Sequence, residues 1–416
     1  MSNIDFQWLP GRVKLEEVII SNTKEKVDVT DLFLELNLNS FINGPSVSAE
    51  FVLADAGNTI DKFKINGGDS ITINVSYKNE TKNFKFKVVG IENISNEGQF
   101  KTYVLRCMSF LAFDSIHKGI IKSYTGTVSE IARQVFDEYV DPEIEKINNW
   151  VQSSNKSSYV IPNWSIIYTL QWLASKAVWD KDSVRFRFFQ DSNLRYNFMP
   201  IEKAIDFYKD KPAFKYTHNL VVGTKGEQQT PNSQDALRAV KDIDFENSFD
   251  IQKSLLSGKI TGIRYAPDII NKSYSPLVYN YFENFKKENY LNSFPQYRSA
   301  TFDPAKNQYD ILTSLIHNEE GPNKSNDISN IKYSNLDDSQ MVTIEVIGNS
   351  VVDIGQIIEL EVAAIEPQSK NNQRIDKRWS GLYYVISKRD IFSKRDDMHR
   401  MILGIAKESQ IEGVET

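Results

Sequence analysis

The stretch Met341-Val342-Thr343-Ile344-Glu345-Val346, followed after a turn by Ile358-Glu359-Leu360-Glu361-Val362, decides how this chain is read. Apolar and polar side chains alternate in both, and a period of two marks a strand with one buried face. Asp353-Ile354-Gly355 between them supplies residues that tolerate tight backbone geometry. Further on, Tyr383-Tyr384-Val385-Ile386 and Met401-Ile402-Leu403-Gly404-Ile405 predict two more strands, joined by the charged hairpin Asp390 to His399. Met341 to Ala406 therefore reads as a small antiparallel β unit.

The same order recurs near the other end of the chain. Val47 to Leu53 predicts a strand and Gly67-Gly68-Asp69 a turn, after which Ile71, Ile73, Val75 and Tyr77 alternate with Thr72, Asn74 and Ser76. Phe84, Phe86 and Val88 form the next strand, and a polar hairpin with Asn96-Glu97-Gly98 leads to Tyr103, Leu105 and Cys107. Both ends read strand, Gly turn, strand, loop, strand, hairpin, strand. Two explanations stand: a chance likeness of alternating strands, or two copies of one β-barrel module in one chain.

A chain of 416 residues exceeds one ordinary core, and about two to four domains are expected. The formal net charge of -6 argues against a sequence-reading nucleic-acid binder, which carries a basic face. The single cysteine, Cys107, excludes an intrachain disulfide framework and sits among alternating apolar residues as a small buried hydrophobe. Met1-Ser2-Asn3-Ile4-Asp5 lacks the pattern of a signal peptide, and no run of about 18 apolar residues is present to span a bilayer. A reducing cytoplasm is the expected place of synthesis.

Along the chain, Val13 to Leu15 and Glu17 to Ile20 predict a strand, as do Leu32, Leu34, Leu36 and Leu38 in alternation, broken by Asn43-Gly44-Pro45. A six- or seven-stranded barrel or sandwich up to about Phe113 follows. Thr127-Val128-Ser129-Glu130 is a capping box opening a helix to about Tyr139, with Val128, Ile131, Val135, Phe136 and Tyr139 on one stripe. Asn149 to Ser158 reads as a polar linker, and Val160 to Trp164 leads into a second helix from Ser165 to about Val178. Its buried face carries Ile166, Ile167, Leu170, Leu173, Ala174 and Ala177, flanked by Trp172 and Trp179. A hairpin follows, with Val184, Phe186 and Phe188 on one strand, the turn Asp191-Ser192-Asn193, and Leu194 to Phe198 on the other. Phe214 to Val222 and Lys259 to Tyr265 predict strands, Gly223 to Asn232 a polar loop, Tyr309 to His317 a short helix and Asn318 to Asn330 a surface loop.

The chain holds little catalytic patterning. His117, His218, His317 and His399 have no second His or Cys at ligand spacing, so no metal or cofactor site is expected. Gly258-Lys259-Ile260-Thr261 looks like part of a phosphate loop, but Lys253 stands where the motif requires glycine. No Gly-x-Ser-x-Gly elbow occurs, and Cys107 has no His near it in sequence. Asp337-Asp338 and Asp396-Asp397 read as solvated loop acids; a glycosidase needs two carboxylates held about 5 to 10 Å apart in a cleft. Tyr279 to Tyr297 is rich in aromatics and fits a sugar platform, a protein interface or core packing. Asn79-Glu80-Thr81 matches a glycosylation acceptor at the frequency chance gives an Asn-rich chain.

A β module, an α/β insert that opens with Ser123-Tyr124-Thr125-Gly126-Thr127 and contains Ile161-Pro162-Asn163-Trp164, and a second β module over Val342 to Val362 and Gly381 to Ala406 together resemble one family. The chain looks like the baseplate hub subunit of contractile-tailed bacteriophages of the T-even type, related to the hub part of secretion-system spike proteins. The resemblance covers nearly the whole chain in domain order and departs from it between Ala236 and Asn307. It implies a multidomain α+β fold with two similar antiparallel, tube-like β-barrel modules and an inserted α/β domain. The expected divisions are 1–113 for the first barrel, 114–213 for the α/β domain, 214–235 with 331–410 for the second barrel, and 236–330 for an insertion. It further implies a homotrimer whose pseudo-sixfold ring joins the hexameric tail tube protein to the trimeric central spike protein, among other baseplate proteins, in a virion assembled in the host cytoplasm. DNA would pass through the ring without sequence-specific binding, there would be no membrane insertion, and no catalytic residue is expected. An acidic balance suits such a channel, because a basic wall would hold phosphates. The rival expectations are a tail-associated cell-wall hydrolase using an acid pair in the central region, and a sugar-binding adhesion module using the Tyr279 to Tyr297 stretch, whose glycan binding would be lost on substitution of Tyr281 or Phe285.

Overall fold

A computed structural model describes residues 10–77, 80–98, 100–179, 186–218, 233–247, 249–256, 260–268, 272–285, 287, 290–298, 312–313, 339–364 and 375–413. Its first strands are β1 (Lys14–Ser21), β2 (Lys26–Asp28), β3 (Phe33–Phe41), β4 (Ser48–Asp55), β5 (Ser70–Ser76), β6 (Thr81–Glu97) and β7 (Phe100–Met108), with helix α1 (Thr59–Phe63) between β4 and β5. They are neighbours in the order β3-β4-β7-β6-β5-β1-β2, each pair antiparallel. Ile71, Ile73, Val75, Tyr103, Leu105 and Cys107 all point into one buried cluster with Leu36, Phe51 and Phe86, as their alternation predicts. One predicted face is corrected. Leu32, Leu34, Leu36 and Leu38 do not line up, for Leu34 is 43% exposed while Phe33 is buried. The register of β3 against β4 shifts between Phe33 and Glu35, and the extra residue of this bulge turns the preceding side chains to the opposite face.

The insert comprises α2 (Phe110–His117), β8 (Gly119–Thr127), α3 (Val128–Tyr139), β9 (Lys146–Trp150), β10 (Lys156–Ser165), α4 (Ile166–Lys176), β11 (Phe186–Gln190), β12 (Arg195–Pro200) and α5 (Ile201–Tyr208). Thr127 Oγ1 accepts from the Glu130 N–H at 3.3 Å, and Glu130 returns the bond to the Thr127 N–H at 2.9 Å, which fixes the start of α3. Its apolar stripe packs on Leu170 and Leu173 of α4 and on Tyr196 and Phe198 of β12. The run Asn149 to Ser158 is not simply a linker: it ends β9 and begins β10. Its buried polar side chains are satisfied internally, Ser153 by Ser129, and Asn155 by the Lys176 carbonyl and the Val178 N–H. Val160 to Trp164 lies within β10, paired with β8, and Ser165 caps α4 by accepting from the Tyr168 N–H at 3.3 Å.

The remainder contains β13 (Lys215–His218), α6 (Ser233–Arg238), β14 (Val240–Asn247), α7 (Ile251–Leu256), β15 (Thr261–Asp268), β16 (Ser273–Asn280), α8 (Tyr281–Asn284), β17 (Phe294–Pro295), β18 (Leu312–Thr313), β19 (Gln340–Ile347), β20 (Ile357–Val362), β21 (Gly381–Ser393), β22 (Met398–Lys407) and β23 (Ser409–Gln410). Val240 to Asn247, assigned from sequence to the insertion, is an edge strand of the main sheet paired with β19; its charged outward residues mask the alternation. Leu312 and Thr313, expected in a helix, pair with β15 as a strand, where the ladder bonds of Arg264 and Tyr265 outweigh local helix preference. The rest of that segment, and the loops Gly223 to Asn232 and Asn318 to Asn330, lie outside the described residues.

The echo between the two ends is a repeat of pairing. β4 pairs with β7, β7 with β6 and β6 with β5; likewise β19 pairs with β22, β22 with β21 and β21 with β20. β3 lies outside β4 as β14 lies outside β19. Beyond β5 comes β1, antiparallel, and beyond β20 comes β13, parallel. The turns agree in detail. The Gly68 N–H donates to the Val88 carbonyl and the Val88 N–H to that of Asp69, both at 2.8 Å; the Gly355 N–H donates to Val385 at 3.0 Å and the Val385 N–H to Gln356 at 2.9 Å. Both glycines have the left-handed backbone such a turn needs, with φ of 91° and 80°. Bulges recur at matched places, Val88/Gly90 with Val385/Ser387 and Phe33/Glu35 with Val240/Asp242. Chance alternation would not reproduce bulges.

The two copies share one sheet. The first residues of β21 pair with β20, and its last, Ser387 to Ser393, pair with β3 of the other copy. The result is a 13-stranded, almost wholly antiparallel sheet that does not close into a barrel among the described residues.

Candidate assembly interface

The seam between the copies lies where β21 leaves β20 and takes up β3. Alternation turns Arg389 outward, and its Nε and Nη2 donate to Asn37 Oδ1 at 3.1 and 3.0 Å. It turns Lys388 and Asp390 inward, where both are buried with 3.2 Å between nitrogen and oxygen. Lys388 Nζ donates to Ser192 Oγ at 3.0 Å, and Asp390 Oδ1 lies 2.7 Å from His399 Nε2. The His399 ring stacks on Phe392 with centroids 4.3 Å apart, and its Nδ1 faces the Tyr77 hydroxyl at 3.4 Å. A Cβ at Gly348 would fall 2.2 Å from that ring, so a bare backbone is required there. Tyr77 belongs to the first copy, Ser192 to the insert, and Lys388, Asp390 and His399 to the second. Three parts of the chain therefore converge on one buried ion pair.

Burial works against both charges but does not win. It would lower Lys388, yet Asp390, Asp353 and Asp191 around it hold its ammonium above the usual lysine value. It would raise Asp390, yet Lys388 and His399 hold its carboxyl below the usual range. For His399 burial dominates; with Lys388 and Lys82 nearby, the ring stays below its ordinary value in spite of Asp390. A neutral ring then donates from Nε2 to Asp390 and accepts at Nδ1 from Tyr77.

The hairpin turn of the insert plugs into this seam. Asp353 accepts from the Ser192 N–H and from Asn193 Nδ2, each at 3.0 Å. Gln190 Oε1 accepts from the Val47 N–H at 3.0 Å. Asp191 is buried beside Asp353, and burial followed by that like charge pushes it up to about 6 although Arg195 reaches it at 3.0 Å. These groups fix register between three parts of the fold and are closed to any substrate. The sequence predicts a charged hairpin from Asp390 to His399, but β21 runs on to Ser393 and β22 starts at Met398, so Asp390 and His399 lie on strands and are buried; their charge makes them look solvated.

The residues weighed for chemistry are dispersed. His117 ends α2 against Phe113, His218 ends β13, His399 sits at the seam, and His317 lies outside the described residues. Among the described residues no group of His, Cys, Asp and Glu is placed to hold a metal ion. Cys107 is buried, and burial pushes its thiol up, away from thiolate chemistry. Asp396-Asp397 form the turn between β21 and β22, while Asp337-Asp338 and Gly258-Lys259 lie outside the described residues. Tyr281, Tyr290 and Tyr297 form a small core with Phe282 and Phe285, with Phe285 stacked on Tyr290 at 4.2 Å, so Tyr281 offers no exposed sugar platform. No helix among the described residues is long and apolar enough to cross a membrane.

No protein-family model and no curated protein matches this chain. Solved structures do. A tail protein from Neisseria meningitidis MC58 aligns over 94% of this chain and 96% of its own, at 11% identity and a TM-score of 0.52. The 43 kDa tail protein of prophage MuSo2 from Shewanella oneidensis aligns over 94% and 98%, at 11% identity and a TM-score of 0.54. The chain thus shares its fold with these tail proteins.

Proposed function

We propose that this chain is a non-enzymatic structural subunit of a phage tail baseplate hub. Three copies would form a pseudo-sixfold ring that joins the hexameric tail tube to the trimeric central spike and lets DNA pass. One observation carries this: the chain holds the same strand pairing twice, with two matched bulges and matched glycine turns. Three chains of two units present six similar units to a sixfold partner, yet only three inserts to a threefold one, a match a single-unit subunit cannot make. In the ring, each half of the open sheet serves as one tube-like module. The expected segments are 1–113 and 214–235 with 331–410 for the modules, 114–213 for the α/β domain and 236–330 for the insertion, with Val240–Asn247 moved to the second module. Partners are the tail tube, the spike and neighbouring baseplate proteins, in a virion put together in the host cytoplasm.

Light scattering on the purified protein should give three times the chain mass, and negative-stain averages a ring of near-sixfold appearance with a central hole. A monomer that also clears cell walls in a turbidity assay would replace this reading with the hydrolase. A lumen lined with Lys and Arg would remove the passage of DNA from it.

A further inference from the structure

Each copy of the repeat should have the same neighbours, and two edges lack theirs. In the second copy, β21 continues past β20 and its vacated edge, Ser387 to Ser393, is filled by β3. In the first copy, β6 continues past β5 and its turn from Gly90 to Glu97, and among the described residues nothing pairs with that edge. The counterpart of β3 is β14, whose outer edge is likewise unpaired beyond Ala239. Matched partners give the correspondence. Leu38 faces Ala49 and Phe245 faces Val342, while Ala49 pairs with Cys107 as Val342 pairs with Ile405. Leu38 is fully buried under β21, yet Phe245 is 38% exposed; on β6, Ile94 is 60% exposed where β21 carries buried Asp390. Long unpaired edges bearing apolar side chains invite a strand.

We infer that β6 of one copy of this chain pairs antiparallel, over Gly90 to Glu97, with the outer edge of β14 of the next copy, in the register by which β21 pairs with β3 once the extra residue that β6 carries between Glu92 and Ser95 is bulged out. This rests on the ring reading above and names the surfaces that close it. The contact is head-to-tail, since each chain offers one β6 edge and one β14 edge. The step from unit to unit within the chain is repeated between chains, and the two units become equivalent. Ile391 pairs with Asn37 inside the chain, and the corresponding residues are Ser95 and Asp244, both exposed.

The native Cys107 is buried, so thiols introduced at those two positions report alone. The full-length double variant Ser95→Cys, Asp244→Cys, treated with a short thiol cross-linker, should run as covalent dimers and trimers. An equimolar mixture of the two single variants should stop at dimers. A double variant that is trimeric by light scattering but does not cross-link overturns this pairing and leaves the ring standing. One that stays monomeric at every concentration overturns both.

Discussion

Glu145 is buried in the insert, where its Oε1 accepts from the Leu111 N–H at 2.9 Å and lies 3.5 Å from the Tyr196 hydroxyl. Burial outweighs those bonds and pushes its carboxyl up to about 7. A carboxyl raised in this way binds a proton in the folded chain before the unfolded one does, so its ionisation costs stability at alkaline pH, here about 3 kcal/mol. Glu145→Gln keeps an acceptor and removes the charge. It should stabilise the protein by about 1–3 kcal/mol at pH 8 and have little effect at pH 5, read from urea midpoints at both. His399 acts in the opposite sense. The unfolded chain protonates near 6.5 while the buried ring resists, so its contribution is intact above 6.5 and is lost as pH falls through the folded value. His399→Gln should therefore flatten the loss of stability between pH 7 and 5. An unchanged slope would mean that this ring does not titrate on unfolding.

At the scale of elements, the two glycine turns offer an internal comparison. A Cβ at Gly68 would meet nothing closer than Phe113 Cζ at 3.6 Å, whereas at Gly355 it would fall 2.7 Å from Phe189 Cζ. Gly68→Ala should cost only the left-handed backbone strain, about 1–2 kcal/mol. Gly355→Ala adds overpacking, for a total of about 2–5 kcal/mol, and should also loosen β11 from the sheet. Equilibrium unfolding of both variants checks the order, and equal losses would remove the packing role assigned to Phe189. The aromatic packing around β11 explains why this turn tolerates no side chain: Phe188 faces the core of the insert and Phe189 that of the second copy.

For the whole molecule, β21 decides that two copies behave as one body. Phe392 lies on this strand of the second copy yet is buried in the core of the first, 6.3 Å from Phe84. Phe392→Ala should cost about 3–5 kcal/mol through the cavity it leaves. Because Phe392 spans the seam, hydrogen exchange should quicken in β3 and β4 as well as in β22. Faster exchange confined to β22 would mean that the copies open independently.

What this sequence determined by itself is what repeats over short distances. Strand alternation, the capping box at Thr127, the glycine turns and the echo of one end in the other all depend on neighbours a few residues apart, where side-chain period and backbone preference act directly. The tertiary structure alone decided which strands meet. Backbone ladder bonds carry no side-chain signature, so nothing local reveals that β21 leaves its own copy for β3, about 350 residues away along a chain whose ladder pairing is blind to sequence. The bulge that buries Phe33 and exposes Leu34, the ordering of Asn149 to Ser158, and the assignment of Val240–Asn247 to the sheet were set in the same way by distant partners. Lys388 and Asp390 are the clearest case. In sequence they look solvated, and only the convergence of three parts of the fold supplies the opposite charges and hydrogen bonds that let them be buried.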